Sequence, residues 1–257
     1  MSGFCWRYHE PKRAVFGRVL DGAIGEVTSV YNTYNTGTLW HKDRQPEWSD
    51  MEYQMRNWLY YNWLSGDHIA EQAVHSLDMA SWALAGKNPL SAVGTGGRQV
   101  RTENKYGHVF DHFAIVYDYG DGVNSYHFSR QQFNCAKSYQ VEVQGTKGQA
   151  VADCTRDRHE IKADEKWRYR GAGNDMYQTE HDELFAAIRR GEPVNDGDFM
   201  AQSTMLAIMG RMAAYTGQVI TWDDALNSEE TLGPESYAWD LSYEAPPVPM
   251  PGITELG

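Results

Sequence analysis

Four titratable side chains recur at helical spacing in the segment "SGDHIAEQAVHSLDMASWAL". The pattern predicts one helix over residues 67–85, on which four groups fall within an arc of about 80°: His68, Glu71, His75 and Asp78. Apolar residues occupy the opposite side, so we expect an amphipathic helix with its apolar face toward the core. A solvated face is the simplest alternative, but such faces are normally filled with Lys, Glu and Arg. The stripe is therefore a candidate reaction site.

Two kinds of chemistry fit this stripe. Histidine changes its charge near neutral pH, and a carboxylate one helical turn away orients its ring or raises its pKa. The pair Glu71 and His75 therefore suits general acid–base catalysis. Two histidines and an acid at helical spacing also suit a divalent metal, although the spacing is not HExxH. The predicted metal ligands are His68, Glu71, His75, His112 and His127, and structural histidines are the alternative.

Aromatic residues are concentrated around a long predicted loop, residues 38–64, in a chain with 9 Trp and 16 Tyr. A loop of this length is more often functional than a simple connector. Aromatic rings mixed with Asn, Asp, Arg and His suit a polar ligand with apolar faces, such as a sugar ring, although core packing is the alternative. The aromatic residues are Tyr31, Tyr34, Trp40, Trp48, Tyr53, Trp58, Tyr60, Tyr61 and Trp63.

The elements that must position these groups are predicted as a sheet framed by helices. The strand "VTSVYNTYNT" precedes the aromatic loop, and further strands are predicted at 90–101, 109–119, 123–132, 138–145 and 149–154. The turn signals "YGDGV" and "QGTKGQ" indicate hairpins and hence antiparallel pairing. Helices are predicted at 11–21, 176–190, 198–216 and 221–226. The fold class is α+β, an open, mainly antiparallel sheet with helices packed on one face.

Composition excludes several function classes. The net charge is −12 and no basic stripe is present, so we expect neither nucleic-acid binding nor polybasic membrane recognition. No apolar run approaches about 18 residues, so no membrane span is expected. Three widely spaced cysteines without a CxxC pair predict no disulfide framework and a cytoplasmic location.

Several motifs resemble one family when taken in order. "SGFCWRYHEPKRAV" and "DGAIGEV" resemble the start of the second domain of the glucose–fructose oxidoreductase, inositol dehydrogenase and MocA family. "GDHIAEQAVHSLDMASW" resembles the active-site helix of that domain, with its H-x-x-D core at His75 and Asp78. "EHDELFAAIRRGEPV" and "STMLAIMGRMAAYTGQVITWDDAL" resemble its late helices. Residues 1–257 are therefore predicted to be a single substrate and oligomerisation domain of this type.

The resemblance implies a substrate site and an assembly. In the family, a histidine on this helix and an acid one turn earlier lie beside the substrate carbon that is oxidised, and these positions match His75 and Glu71. The family commonly has aspartate where this chain has Glu71. Its substrates are mostly sugars, polyols and glycosides, and its open sheet face implies a homo-oligomer. The implied substrate-binding residues are Arg7, Tyr8, His68, Asp78, Tyr177 and His181.

The resemblance begins after the family's Rossmann domain, which holds the nicotinamide cofactor. The stretches "GTGGRQ" (94–99) and "GAGNDM" (171–176) both lack the third glycine of G-x-G-x-x-G. The family's E-K-P motif, whose lysine helps polarise the reacting hydroxyl, is also absent. We therefore expect no NAD binding by this chain alone, whereas a divalent metal stays possible.

Three functions fit these observations. The first is a Rossmann-less enzyme that uses His75 and Glu71 for acid–base chemistry on a sugar or glycoside, such as elimination, epimerisation or glycosidic cleavage, with or without a metal. The second is a truncated substrate-binding domain of an NAD-dependent sugar or polyol dehydrogenase, inactive alone. The third is a non-catalytic oligomerisation or sugar-binding module.

Overall fold

A nine-stranded sheet forms the centre of the protein, in a computed structural model that describes residues 1–255. The strands are β1 Val27–Thr36, β2 Ser91–Gly97, β3 His112–Asp118, β4 Asn124–Gln131, β5 Ser138–Gly145, β6 Gly148–Asp153, β7 Arg158–Ala163, β8 Trp167–Arg168 and β9 Ile220–Thr221. Their order across the sheet is β8-β7-β6-β5-β1-β4-β3-β2-β9. Only β1 and β4 pair in parallel. The predicted open, mainly antiparallel sheet is confirmed.

One face of the sheet is covered and the other is open. In β3, Phe113, Ile115 and Tyr117 are buried and alternate with partly exposed residues. In β4, Tyr126 and Phe128 point to the opposite face and are 37% and 39% exposed. Because side chains alternate between faces along a strand, this pattern places the core on one side only. The predicted α+β class with helices on one face is confirmed.

The helices are α1 Glu10–Leu20, α2 Asp50–Arg56, α3 Asn62–Ser65, α4 His68–Glu71, α5 Val74–Ala83, α6 Met176–Arg190, α7 Gly197–Thr216 and α8 Trp222–Leu226. Short 3-10 helices lie at Cys5–Tyr8, Trp58–Tyr60 and Asn104–Tyr106. Helix α5 lies against both α7 and β1. In one apolar core, Ile69 and Leu77 pack with Leu206 of α7. A second core joins α1 to β5 and β6.

The helix predicted over residues 67–85 is interrupted in the structure, so the prediction of one continuous helix is wrong. Helix α4 ends at Glu71, Gln72 adopts φ −129° and ψ −52°, and α5 begins at Val74. The Ala73 amide donates to the His68 carbonyl at 3.0 Å, a bond that spans five residues instead of four. Such a wide turn rotates the following residues relative to the preceding ones.

The aromatic loop contains more regular structure than the sequence predicts. Helix α2 begins after Ser49, whose hydroxyl accepts the Glu52 amide and so caps the helix. The Met51 amide donates to the Leu241 carbonyl, so the carboxyl-terminal tail covers this segment. Strands β7, β8 and β9 are absent from the prediction. Among residues 1–255, no helix is long and apolar enough to cross a membrane.

Candidate functional site

Glu71 lies at the end of α4, held by a side chain from the sheet. The Gln131 amide of β4 donates to Glu71 Oε1 at 2.7 Å and to Gln72 Oε1 at 2.8 Å. The Gln131 carbonyl in turn accepts from Arg101. Burial raises the pKa of Glu71 to about 7, and the Gln131 hydrogen bond and the Arg101 charge oppose that rise. Near neutral pH this carboxyl therefore exists in both protonation states, as a proton donor or acceptor requires.

His75 lies in the first turn of α5, against an aromatic surface. Its ring stacks on Trp6 at a centroid distance of 5.7 Å and meets the edge of Phe4 at 5.9 Å. Burial lowers the pKa of His75 to about 4, and the Lys12 charge lowers it further. The ring is therefore neutral at pH 7. Its Nδ1 atom is buried without a hydrogen-bond partner among the described residues.

An unpartnered buried nitrogen in a polar neighbourhood is costly and calls for a ligand or water. The surface beside His75 continues from Trp6 to Tyr34 of β1, stacked at 5.9 Å, and from Tyr34 to Tyr139 of β5 at 5.0 Å. Burial raises the pKa of Tyr34, and the nearby Tyr139 and Glu71 raise it further. The break in the helix thus places Glu71 and His75 beside one aromatic wall.

Arg7 and Asp78 bind each other instead of facing an open site. Arg7 Nε donates to Asp78 Oδ2 at 2.9 Å and its Nη2 donates to Oδ1 at 2.8 Å, while Ser203 Oγ donates to Oδ1 at 2.8 Å. The guanidinium also lies over Phe199, 4.0 Å from the ring centroid. Burial raises the pKa of Asp78, and the hydrogen bonds from Arg7 and Ser203 oppose that rise. The pair anchors the turn that carries Trp6.

Tyr8, Tyr177 and His181 lie where the amino-terminal turn meets α6. Tyr8 is buried, and burial raises its pKa to about 12. Tyr177 is 60% exposed, beside Cys5, and His181 Nδ1 lies 2.7 Å from the Tyr177 carbonyl. All three residues border the segment that contains Trp6. Only Tyr177 and His181 are exposed, so only these two could contact a ligand directly.

The five predicted metal ligands are not brought together among the described residues. His68 is buried, with Nδ1 3.3 Å from the Phe110 carbonyl and Nε2 3.1 Å from Ser129 Oγ, so it is a core histidine instead of a ligand. His127 is fully buried and bonds Asn32 through Nδ1 at 2.5 Å.

The other two histidines among the predicted metal ligands, His112 and His75, have contacts of their own. His112 bonds Asp111 at 2.8 Å. His75 faces Trp6, whereas His68 points into the sheet, so the two do not share a face. The expectation of four aligned groups therefore fails at the turn between α4 and α5.

Residues 1–255 offer no fit for a dinucleotide pyrophosphate at either glycine-rich stretch. Residues 94–99 run along β2 into a loop, not into a helix. Residues 171–176 lead into α6, but the Asp175 carboxylate already accepts the amides of Tyr177 and Gln178. A second anion at that helix end would meet the Asp175 charge instead of free N–H groups.

Most aromatic residues of the loop pack against one another. Tyr53, Tyr60 and Tyr61 are buried in a cluster with Leu59 and Val109. Trp40 and Trp58 are 44% and 38% exposed, with ring centroids 6.4 Å apart. The core-packing alternative therefore holds for the buried tyrosines, and the two tryptophans stay open to a ligand.

Three residues of the site were missed by the sequence analysis: Trp6, Lys12 and Gln131. Trp6 lies 69 positions before His75, and Gln131 reaches Glu71 across 60 positions. The spacing of residues within one segment cannot predict contacts between residues so far apart in the sequence. The one local signal is that Trp6 directly precedes Arg7 and Tyr8, which the resemblance implies as substrate-binding residues.

Comparison with known proteins identifies the fold. The family model described as the GFO/IDH/MocA C-terminal domain matches residues 13–151. No curated protein sequence matches the chain. Among solved structures, the aldose–aldose oxidoreductase from Caulobacter crescentus, complexed with glycerol, superimposes with a TM-score of 0.66 at 19% identity, covering 85% of this chain and 62% of its own.

Two further structures give the same result. An oxidoreductase from Agrobacterium radiobacter, in complex with NAD+, L-tartaric acid and magnesium, has a TM-score of 0.65 at 15% identity, over 87% of this chain and 65% of its own. Levoglucosan dehydrogenase, in complex with NADH, has a TM-score of 0.65 at 18% identity, over 86% and 65%. At these identities the likeness concerns the fold. The chain spans less than two thirds of the length of each of these structures.

Proposed function

Because the chain belongs to the GFO/IDH/MocA C-terminal domain family, we propose that it is the substrate-binding domain of a nicotinamide-dependent oxidoreductase acting on a sugar or polyol. The names of its structural neighbours, which include an aldose–aldose oxidoreductase and levoglucosan dehydrogenase, support a carbohydrate substrate. In this proposal the dinucleotide is held by a domain outside residues 1–255, because neither glycine-rich stretch in them fits a pyrophosphate.

The observation that carries the proposal is the environment of His75. A neutral imidazole with an unpartnered, buried Nδ1 stands at the end of an aromatic wall. Aromatic faces stack on the C–H faces of a sugar ring, and a hydroxyl of that ring would supply the missing hydrogen bond. This combination favours a polyhydroxylated ligand over an apolar or an ionic one.

The residues of the site have different roles in this proposal. His75 accepts the hydroxyl proton of the carbon that is oxidised, since burial keeps its ring neutral at pH 7. Glu71, with a pKa of about 7, binds a second hydroxyl or relays the proton. Arg7 and Asp78 act as positioning residues, because their mutual ion pair fixes the turn that carries Trp6. A nicotinamide held by that other domain would accept the hydride from the same carbon, which balances the oxidation.

The test is ligand-observed NMR on the chain with a panel of glycerol, myo-inositol, levoglucosan and glucose. We expect saturation transfer to at least one of them, and its loss in His75→Ala. The matched control, His41→Ala, removes a histidine from the aromatic loop and should retain the signal. NAD+ added alone should show no saturable transfer. Absence of binding for the whole panel, or binding that survives His75→Ala, contradicts the proposal.

A second candidate function is acid–base chemistry on a sugar without nicotinamide, and the raised pKa of Glu71 favours it. Elimination and epimerisation both begin with loss of a carbon-bound proton. The chain would then exchange that hydrogen with D2O when incubated with a 3-keto-glycoside or glycoside. Exchange that disappears in Glu71→Gln supports this candidate, and binding without exchange supports the substrate domain.

Self-association is part of the same proposal. Tyr31 and Phe128 lie 5.7 Å apart on the open sheet face, and with Tyr126 they expose aromatic surface that a second copy would cover. Sedimentation velocity of the chain and of Tyr31→Lys tests it. A dimer or larger assembly that dissociates in the variant is expected, and a monomer in both cases contradicts it.

A further inference from the structure

A second cluster of metal-ligating side chains is linked to Trp6 through Lys12, whose Nζ lies 4.4 Å from the Trp6 ring centroid and 3.4 Å from His9 Nδ1. His9 precedes α1, Cys154 follows β6, and His159 is the second residue of β7. One ligand atom from each residue lies within 4.8 Å of the others, and within residues 1–255 no other group of three His, Cys, Asp or Glu side chains meets this criterion. We propose that these three residues form a site for a thiophilic divalent metal of the zinc type.

The donor set matches that metal. Zn²⁺ takes imidazole nitrogen and thiolate sulfur in tetrahedral geometry, with ligand atoms about 3.3 to 3.6 Å apart around the ion. The present separations need only small side-chain rotations to reach that spacing, because the rings of His9 and His159 are already 5.4 Å apart between centroids. All three cysteines of the chain are free, so Cys154 is not committed to a disulfide.

A second, independent observation points to a ligand at this place. His159 is 2% exposed, and its Nε2 atom is buried without a hydrogen-bond partner in the described chain. Its Nδ1 lies 3.6 Å from a carboxylate oxygen of the exposed Asp157. A carboxylate on the other ring nitrogen is the usual outer partner of a metal-bound histidine. The fourth position then falls to water.

One neighbouring charge opposes a cation. Lys12 is buried, its Nζ lies 3.4 Å from His9 Nδ1, and it faces the Trp6 ring at 4.4 Å. The other charged groups that act on His159 are Asp153 at the end of β6, Asp157 in the hairpin turn and Arg168 on β8. The competing explanation of the cluster is therefore a pocket that solvates the lysine ammonium with His9 and Cys154. Metal binding and a lysine pocket make opposite predictions for Lys12→Met.

A metal bound at this site would cross-link two segments of the chain. It joins the amino-terminal turn, which carries Trp6 and Arg7, to the β6–β7 hairpin. Binding to the folded state only stabilises it by mass action. At metal concentrations a hundredfold above Kd, a chain of this size should melt about 5 to 10 °C higher.

The experiment is titration of the reduced, chelator-treated chain with Co²⁺ and then Zn²⁺. We expect one equivalent of Co²⁺ to give tetrahedral d–d bands and a thiolate-to-metal charge-transfer band, both displaced by Zn²⁺. Cys154→Ala should abolish the charge-transfer band and weaken binding more than about tenfold. The matched control is Cys135→Ala, which removes an exposed cysteine and should leave the spectrum unchanged.

Two results overturn the proposal. One is the absence of stoichiometric binding by a chain that circular dichroism shows to be folded. The other is a charge-transfer band that survives Cys154→Ala. Lys12→Met adds a second check, since removing the ammonium should tighten metal binding if the site is real. If the cluster is a lysine pocket, the same variant binds no metal.

Discussion

Replacing Glu71 with glutamine should make the protein more stable at alkaline pH than at acidic pH, relative to wild type. Burial raises the pKa of Glu71 from the ordinary 4.5 to about 7. At about 1.4 kcal/mol per pKa unit, this shift is worth about 3 kcal/mol in the free energy of unfolding. Below pH 4.5 the carboxyl is protonated in both states. As the pH rises toward 7, only the unfolded state releases the proton easily, so wild-type stability falls.

Glutamine cannot ionise in this pH range, and it keeps a side-chain oxygen that accepts from Gln131. Urea denaturation at pH 5 and pH 8 measures the free energy of unfolding of both proteins. The glutamine variant should gain about 2.5 kcal/mol on wild type between these two values. Glu229→Gln makes the same change in an exposed side chain and serves as the control. A difference between Glu71→Gln and wild type that does not vary with pH would refute the account of this carboxyl.

Three further outcomes follow from buried groups. Asp78→Ala leaves the Arg7 guanidinium without its partner and should cost about 3 to 5 kcal/mol of unfolding free energy in urea, where a loss below 1 kcal/mol would argue against the pair. Tyr215→Phe removes a 2.5 Å hydrogen bond to the buried Asp67 carboxylate and should cost about 1.5 to 3 kcal/mol. Burial lowers the pKa of His127 to about 3. Its contribution to the free energy of unfolding is therefore present above pH 6.5 and is lost as the pH falls toward 3. His127→Gln should therefore flatten acid unfolding followed by circular dichroism between pH 6.5 and 4, and an unchanged acid transition would contradict this.

Most of the regular elements could be predicted because their signals are local. The strand over residues 138–145 and the helix over residues 176–190 are confirmed to the residue. The last short helix, predicted at 221–226, runs from Trp222 to Leu226, and its N-cap Thr221 forms a capping box with Asp224. Hydrophobic periodicity, turn residues and caps act within a few positions, so a single sequence displays them.

The interruption between α4 and α5 could not be predicted, since long-range contacts produce it. Asp67 adopts φ 68° before α4 and accepts the amide of Phe110, 43 positions away. The same carboxylate oxygen, Oδ2, also accepts from the hydroxyl of Tyr215, 148 positions away. These bonds fix the start of α4, while Gln131 holds its end. Local helix propensity favours a continuous helix, and the tertiary contacts override it.

The candidate site was likewise predictable only in part. His75 and Glu71 were identified from the resemblance and the spacing, and the structure places both beside one aromatic wall. The stripe assigned to His68 and Asp78 is not open to a ligand, because His68 enters the core and Asp78 binds Arg7. A helical wheel assumes one straight helix, and one wide turn is enough to separate its members.

The most direct test of the account is an NMR titration that observes the ring nitrogens of His75. The chain is labelled with 15N-histidine and titrated with the polyol that gives the strongest saturation transfer. If a substrate hydroxyl completes the unpartnered Nδ1, that nitrogen should shift in a saturable way, while the signals of the core residue His68 stay in place. A ligand that binds without moving the His75 signals would contradict the central claim that this histidine faces the substrate.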